Sequence, residues 1–281
     1  MKNLKMIWYI VVMISTVQLV GQNSFKVEVY GEGEPLLLFP GFSSTADVYQ
    51  EIVTNFSKDY QVHAFTFAGF GDVAPIQSAW LETIKKDVEI YITKKKLKNI
   101  SILGHSMGGT LGLWLASDQD VYKKLILIDA LPAMGALMFP NYDSESIQYD
   151  SLYNQQLLEM SEADFETMAN QMAINLSLDP EGQKRIVEDM LRSDRKTYVY
   201  GYTDLLKLDL RQKLANIKVP VYILAANLPY GKEVATINYK NQYQNLSDYK
   251  LHFAENSKHF IMYDQPVWLI DQIKMALNTN E

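Results

Sequence analysis

The chain contains no cysteine. Disulfides, thiolate metal sites, a thiol nucleophile and the lipidated cysteine of a bacterial lipoprotein leader are excluded, so stability has to come from the core. Histidine is scarce, with four residues, and no cluster of His, Asp and Glu has metal-ligand spacing, so no metal or other cofactor is expected. Basic charge is also short: 26 Lys and Arg against 33 Asp and Glu leave a net charge of −7. A surface of that sign repels phosphate backbones, which removes nucleic acid from the expected partners. Internal repeats and low-complexity tracts are missing, and beyond the N-terminal stretch there is no apolar run long enough to span a membrane.

With 281 residues, 48% of them hydrophobic and 21% charged, the chain can bury a full core and form one large domain with an insertion. It opens with Met1, Lys2, Asn3, Leu4 and Lys5, followed by the apolar stretch 6–20. A basic start and a short apolar run mark a secretory signal, with cleavage near Gly21 or Gln22. Residues 1–22 are therefore expected to be a leader, with an uncleaved anchor as the alternative, and the mature protein to be secreted or periplasmic and free of the membrane after leader removal. The leader holds two lysines and no acid, so its removal takes the net charge to −9. Oligomeric state is not readable from the sequence.

Alternating apolar and polar residues make 25–30 a half-exposed strand. Gly31-Glu32-Gly33-Glu34 turn it into the buried run 35–39, so these two strands are expected to be neighbours. A helix over 46–56, a strand over 61–67, the loop Gly69-Phe70-Gly71 and a long helix over 76–96 follow. Strands at 100–103 and 125–128 enclose a helix over 110–116. From 131 to 213 the strand signal vanishes, and Leu157, Met160, Phe165, Met168, Met172 and Leu176 recur at helical spacing. Strands return at 219–226 and 250–254, and an amphipathic helix over 266–277 closes the chain. This alternation implies a mostly parallel sheet built from 23–130 and 214–281, with 131–213 as a helical insertion.

Between the strand at 100–103 and its following helix stand Gly104-His105-Ser106-Met107-Gly108-Gly109. A serine at a sharp strand-to-helix turn is strained and lifted out of the sheet, and it needs hydrogen-sized neighbours on both sides. Ser106 is the candidate nucleophile. A serine hydroxyl attacks poorly at neutral pH unless a base removes its proton. Of the four histidines, His105 flanks the serine and is expected to point elsewhere, while His63 and His252 lie in strand-like runs as packed or surface groups. His259 sits in a loop between the last strand and the last helix. Parallel strands end on one edge of a sheet, so that loop and the turn at Ser106 open on the same side.

The order of elements over about residues 25–278 resembles the alpha/beta-hydrolase superfamily. Three motifs carry the resemblance: the turn at Ser106, the strand-loop Leu36-Leu37-Leu38-Phe39-Pro40-Gly41-Phe42, and Ser257-Lys258-His259-Phe260-Ile261-Met262-Tyr263-Asp264-Gln265-Pro266. It implies an α/β fold with a mostly parallel central sheet flanked by helices, and 131–213 as a helical cap. It implies Ser106 as nucleophile and His259 as base. The acid's usual place, after the strand at 219–226, reads Asn227-Leu228-Pro229-Tyr230-Gly231, with no carboxylate until Glu233. Asp129 closes the strand after the serine, where some relatives, haloalkane dehalogenases among them, carry their acid. Asp129 is the favoured candidate, with Glu233 or a dyad lacking an acid as alternatives. The backbone amides of Phe42 and Met107 are the expected oxyanion donors, although Pro40 replaces the usual histidine of that loop. The segment Phe67-Ala68-Gly69-Phe70-Gly71-Asp72 lacks the family's first aspartate and the third glycine of a dinucleotide loop, so it counts as structure only.

Met134, Leu137, Met138 and Phe139 follow Asp129 and are expected, with Leu131, to line an apolar substrate pocket. The expected activity is that of a secreted, carboxylesterase-like serine hydrolase acting on a small or medium apolar ester through an acyl-enzyme. A lactonase, thioesterase or carbon-carbon hydrolase would use the same triad. A non-catalytic ligand-binding protein on the same scaffold is the alternative from another class.

Overall fold

The computed structural model of the protein describes residues 24–279 except Ser78 and Pro140, so the leader expected over 1–22 lies outside the described residues. The chain begins with β1 (Phe25–Tyr30) and β2 (Glu34–Phe39), then a 3-10 turn at Ala46–Tyr49 that runs into α1 (Gln50–Phe56). Next come β3 (Tyr60–Phe67), α2 (Trp80–Lys95), β4 (Ile100–His105), α3 (Met107–Asp118) and β5 (Tyr122–Ile128). Five helices follow without a described strand: α4 (Met134–Met138), α5 (Leu152–Glu159), α6 (Glu162–Leu176), α7 (Pro180–Leu191) and α8 (Arg195–Lys207). The rhythm then resumes with β6 (Val221–Ala226), α9 (Lys232–Gln242), β7 (Lys250–Ala254), α10 (Ile261–Asp264) and α11 (Pro266–Asn278).

One seven-stranded sheet runs in the order β1-β3-β2-β4-β5-β6-β7. Only β1 is antiparallel to its neighbour; all other pairs are parallel. The expectation that β1 and β2 pair is wrong, because β3 lies between them. The glycines of the connecting turn explain it. A Cβ on Gly31, at φ +70, would sit 2.0 Å from the Ser57 carbonyl oxygen, and one on Gly33, at φ +122, 2.7 Å from that of Asp59. The turn therefore passes tightly over the chain entering β3 and sets β1 down on its far side, which a hairpin reading of the two glycines misses.

Strand side chains alternate between faces, and β2 shows what each face does. Leu37 and Phe39 join the core under α2, α3 and α9 with Ile102 and Leu127. Leu36 and Leu38 join the opposite core, under α1 and α11, with Leu103 and Ile126. Burial on both faces accounts for the apolar run of β6 and for the predominantly apolar, fully buried β4. Lys124 of β5 is buried, yet its ammonium donates to the carbonyls of Ala276, Leu277 and Thr279, closing the C-terminal end of α11.

Two helix starts depart from the expected boundaries. α2 begins at residue 80 rather than 76, and the Leu81 amide donates to Asp204 of α8 at 3.0 Å, a long-range cap that no local pattern carries. α3 begins at residue 107 rather than 110, its first turn disguised by Gly108 and Gly109. The side chains of Ser151, Ser161, Asp179 and Asp194 cap α5, α6, α7 and α8 in turn.

Candidate active site

Ser106 stands at the end of β4 with φ 51° and ψ −122°, a conformation disfavoured for a residue with a Cβ. Its neighbours show why the chain tolerates it there. A Cβ on Gly104 would lie 2.4 Å from the Gly108 carbonyl oxygen, and one on Gly108 2.0 Å from that of Phe39. The glycines thus let β4, α3 and β2 close around the turn, which holds the serine at the mouth of a cavity above the C-terminal ends of the strands. Met107 opens α3, so its amide is one of the first-turn donors that no carbonyl within the helix can reach.

His259 and Asp129 come to the same edge from β7 and β5. His259 Nδ1 lies 2.6 Å from Asp129 Oδ2, with the two side chains 22% and 17% exposed. The other carboxylate oxygen accepts from the Ala226 amide at 2.9 Å and the Tyr239 hydroxyl at 2.8 Å. Burial pushes the Asp129 carboxyl upward, but His259 and these two donors outweigh it and hold the group below the usual carboxylate range. Asp129 itself has φ 44°, a left-handed conformation that aspartate tolerates better than most residues. Because Nδ1 faces the carboxylate, Nε2 is the ring nitrogen left for the cavity, and Ser106, Asp129 and His259 all line that cavity.

The vacant acid position after β6 has other work. Asn227 donates to Glu255 and accepts from the Ser257 amide, while Leu228, Pro229 and Tyr230 form cavity wall. Glu233 is exposed on α9 and does not reach the cavity, so the structure brings Asp129, not Glu233, to His259.

His105 corrects another expectation. It does not point away from the site: its ring packs 4.6 Å from that of His259 and 4.7 Å from Phe260. His105 Nε2 lies 3.1 Å from the His259 carbonyl. A carbonyl only accepts, so Nε2 carries the proton. Burial, together with the nearby His259 charge, lowers the His105 pKa to about 3, keeping the ring neutral. The loop is tied on its other side as well. Asp264 accepts from the Lys258 amide at 2.7 Å, from the Ser177 hydroxyl at 2.6 Å and from the Leu178 amide at 2.8 Å, and the Phe260 amide donates to the Leu176 carbonyl. The His259 loop is thereby fastened to the turn between α6 and α7.

The remaining histidines stay outside. His63 is buried in β3 between Tyr91 and Gln61, and His252 is exposed on β7. The cavity measures about 1060 Å³. Phe42 lines it, with its ring held among Phe70, Trp80, Tyr198 and Tyr202. Met134, Met138 and Phe139 line it, but Leu137 does not. Successive helical residues point about 100° apart, and in α4 that turns Leu137 outward, 46% exposed, when Met138 faces the cavity. Leu131 packs in the core beneath instead. Further walls come from Leu157, Met172, Ile186, Met190, Tyr198 and Tyr202, side chains of α5 to α8 whose convergence has no local sequence signal. The Tyr239 hydroxyl on Asp129 and the His105 brace were equally invisible, since both depend on long-range packing.

Comparisons with known proteins agree with this architecture. The family model described as alpha/beta hydrolase fold matches residues 34–266. A pimeloyl-[acyl-carrier protein] methyl ester esterase of Vibrio cholerae is 26% identical over 211 residues, covering 72% of this chain and 78% of the relative. Its counterpart from Aliivibrio salmonicida is 27% identical over 203 residues, covering 71% and 76%. Among solved structures, an esterase from Exiguobacterium antarcticum superposes with a TM-score of 0.78 at 20% identity, covering 95% of this chain and all of the other. An enol-lactonase from Burkholderia xenovorans gives 0.76 at 15%, covering 92% and 98%. At those identities the structural likeness is one of fold.

Proposed function

The chain belongs to the alpha/beta hydrolase fold family, and from that membership we propose that it is a serine hydrolase cleaving a carboxylic ester through an acyl-enzyme. The observation that carries the reading is the 2.6 Å pair of His259 and Asp129 on the wall of a cavity that the strained Ser106 also lines. Esterase activity in the matched relatives supports it.

In this reading Ser106 Oγ bonds to the ester carbonyl carbon as its proton passes to His259 Nε2. Asp129, kept ionised, fixes the imidazole tautomer and stabilises the imidazolium. The amides of Met107 and Phe42 stabilise the oxyanion, each worth about 3 kcal/mol in the transition state. The carbon to alkoxy-oxygen bond then breaks, and the alcohol leaves with the proton from His259. Water attacks the acyl-enzyme, its proton goes to His259, and the acid is released as Ser106 recovers its hydrogen.

The helices of residues 131–213 act as a cap over this site, and the apolar walls favour an ester of small or medium size with an apolar arm. The basic start and apolar stretch of residues 1–22 support a reaction outside the cytoplasm. A fluorophosphonate probe should label the wild-type protein and spare Ser106→Ala, and chromogenic esters of graded acyl length should be turned over by the wild type alone. A folded wild-type protein that neither labels nor cleaves any of them overturns the assignment.

A further inference from the structure

Charge is distributed one-sidedly around the cavity. Its described lining contains no lysine or arginine, while Asp143 stands on it, exposed, in addition to Asp129. The chain that passes over it is more lopsided still: the fifty residues from Met134 to Gln183 hold nine carboxylates and no lysine or arginine. Cations meet this stretch from flanking positions, and those with described partners are committed: Lys184 pairs with Glu181 at 2.6 Å. Arg195 donates to the carbonyls of Leu157 and Met160 and to Glu162. Lys207 is held by the carbonyls of Ser144 and Ile147, Lys258 by that of Ile174, and Arg211, beside the Tyr142 ring, by Asp209. The walls add the aromatic rings of Phe42, Phe139, Tyr142, Tyr198, Tyr202 and Tyr230.

We propose that this cavity sorts substrates by charge, accepting uncharged and ammonium-bearing esters and rejecting isosteres that carry a carboxylate or phosphate. An anion entering it gives up hydration and finds no cation to replace the water. Aromatic rings offer a cation their negative faces, so a wall rich in them suits an ammonium group better than an anion. Of the nine carboxylates Asp143 is the one on the described lining, and the others extend the same preference to the approach through their longer-range field. The inference deepens the esterase reading and rests on it for the word substrate; the charge preference itself is a property of binding and is measurable without turnover.

The test uses three ligands of matched length with no ester bond, ending in a hydroxyl, a carboxylate and a trimethylammonium group, titrated against the wild-type protein at low and high salt. The carboxylate ligand should bind at least about tenfold more weakly than the other two at low salt, and the gap should narrow several-fold in about 0.5 M salt as the Debye length shrinks. Asp143→Asn, which keeps a side chain competent to cap the 3-10 turn at Ser144–Ser146, should narrow it about threefold at low salt. A carboxylate ligand that binds as tightly as the alcohol overturns the proposal, and so does a gap that neither salt nor Asp143→Asn alters. Turnover of the matching esters, run in parallel, is read separately: charge-sorted binding without cleavage of any ester counts against the hydrolase assignment while sustaining the sorting.

Discussion

Asp129 receives three donors, from His259, Ala226 and Tyr239, on two oxygens. An amide in its place offers one acceptor oxygen and turns an NH2 group toward a donor, so the imidazole loses its correct tautomer. Asp129→Asn is expected to lower kcat by about a thousandfold or more while the protein stays folded, checked by ester turnover beside a thermal melt. His63 gives a prediction of a different kind. Gln61 Oε1 only accepts, so His63 Nε2 donates to it and Nδ1 accepts from the Tyr91 hydroxyl, a neutral ring sealed in β3. Burial, with Lys95 adding a smaller push, lowers its pKa to about 4. The unfolded chain takes up a proton below about pH 6.5 that the folded chain refuses until about pH 4, so stability is full above the first value and falls toward the second, by roughly 3 kcal/mol. The drop in Tm from pH 7 to pH 5 should shrink in His63→Gln. At this scale the sequence was most legible where chemistry and turn coincide, as at Ser106 between its glycines. It was mute on the Tyr239 hydroxyl, 110 positions from the carboxylate it serves.

Elements, more than single residues, decide where His259 stands. Asp264 of α10 gathers backbone and hydroxyl donors from both the His259 loop and the start of the α6 to α7 turn, so one carboxylate aligns two pieces of chain. Asp264→Ala leaves those donors unpaired and should reduce kcat at least tenfold while also lowering Tm, whereas Asp264→Asn should recover part of both. Asp189 of α7 illustrates the opposite case. Burial raises its pKa to about 6, and the Thr45 amide donates to it across a long 3.4 Å. A carboxyl that holds its proton more tightly folded than unfolded loses stability as pH rises from about 4 to about 6, so Asp189→Asn should raise Tm at pH 8 and leave it unchanged at pH 4. Most strands were readable because burial on both faces writes an apolar run. The order of β1, β3 and β2 was not, since the turn at Gly31 looks like a hairpin until the backbone of Ser57 is seen beneath it.

For the molecule as a whole, one sheet carries a cavity walled in part by a chain of separately capped helices. Residues 141–150, mostly exposed, lead into those helices, and no trypsin site exists between Lys124 and Lys184. Glutamyl endopeptidase or chymotrypsin should therefore nick first near Glu145 or Tyr149, and an apolar ligand filling the cavity should slow the cut, read by mass spectrometry over time. The alternation of strand and helix made the mostly parallel sheet readable, but which helical side chains converge on the cavity is set by packing between distant segments. In the proposed mechanism, an acid on β5 has one more result. The stretch Leu228-Pro229-Tyr230, freed there from any duty in proton transfer, borders the cavity. A library randomised at those three positions would redraw the catalogue of accepted molecules while the reacting trio stayed intact, giving evolution, or a designer, a dial for selectivity separate from the one for rate.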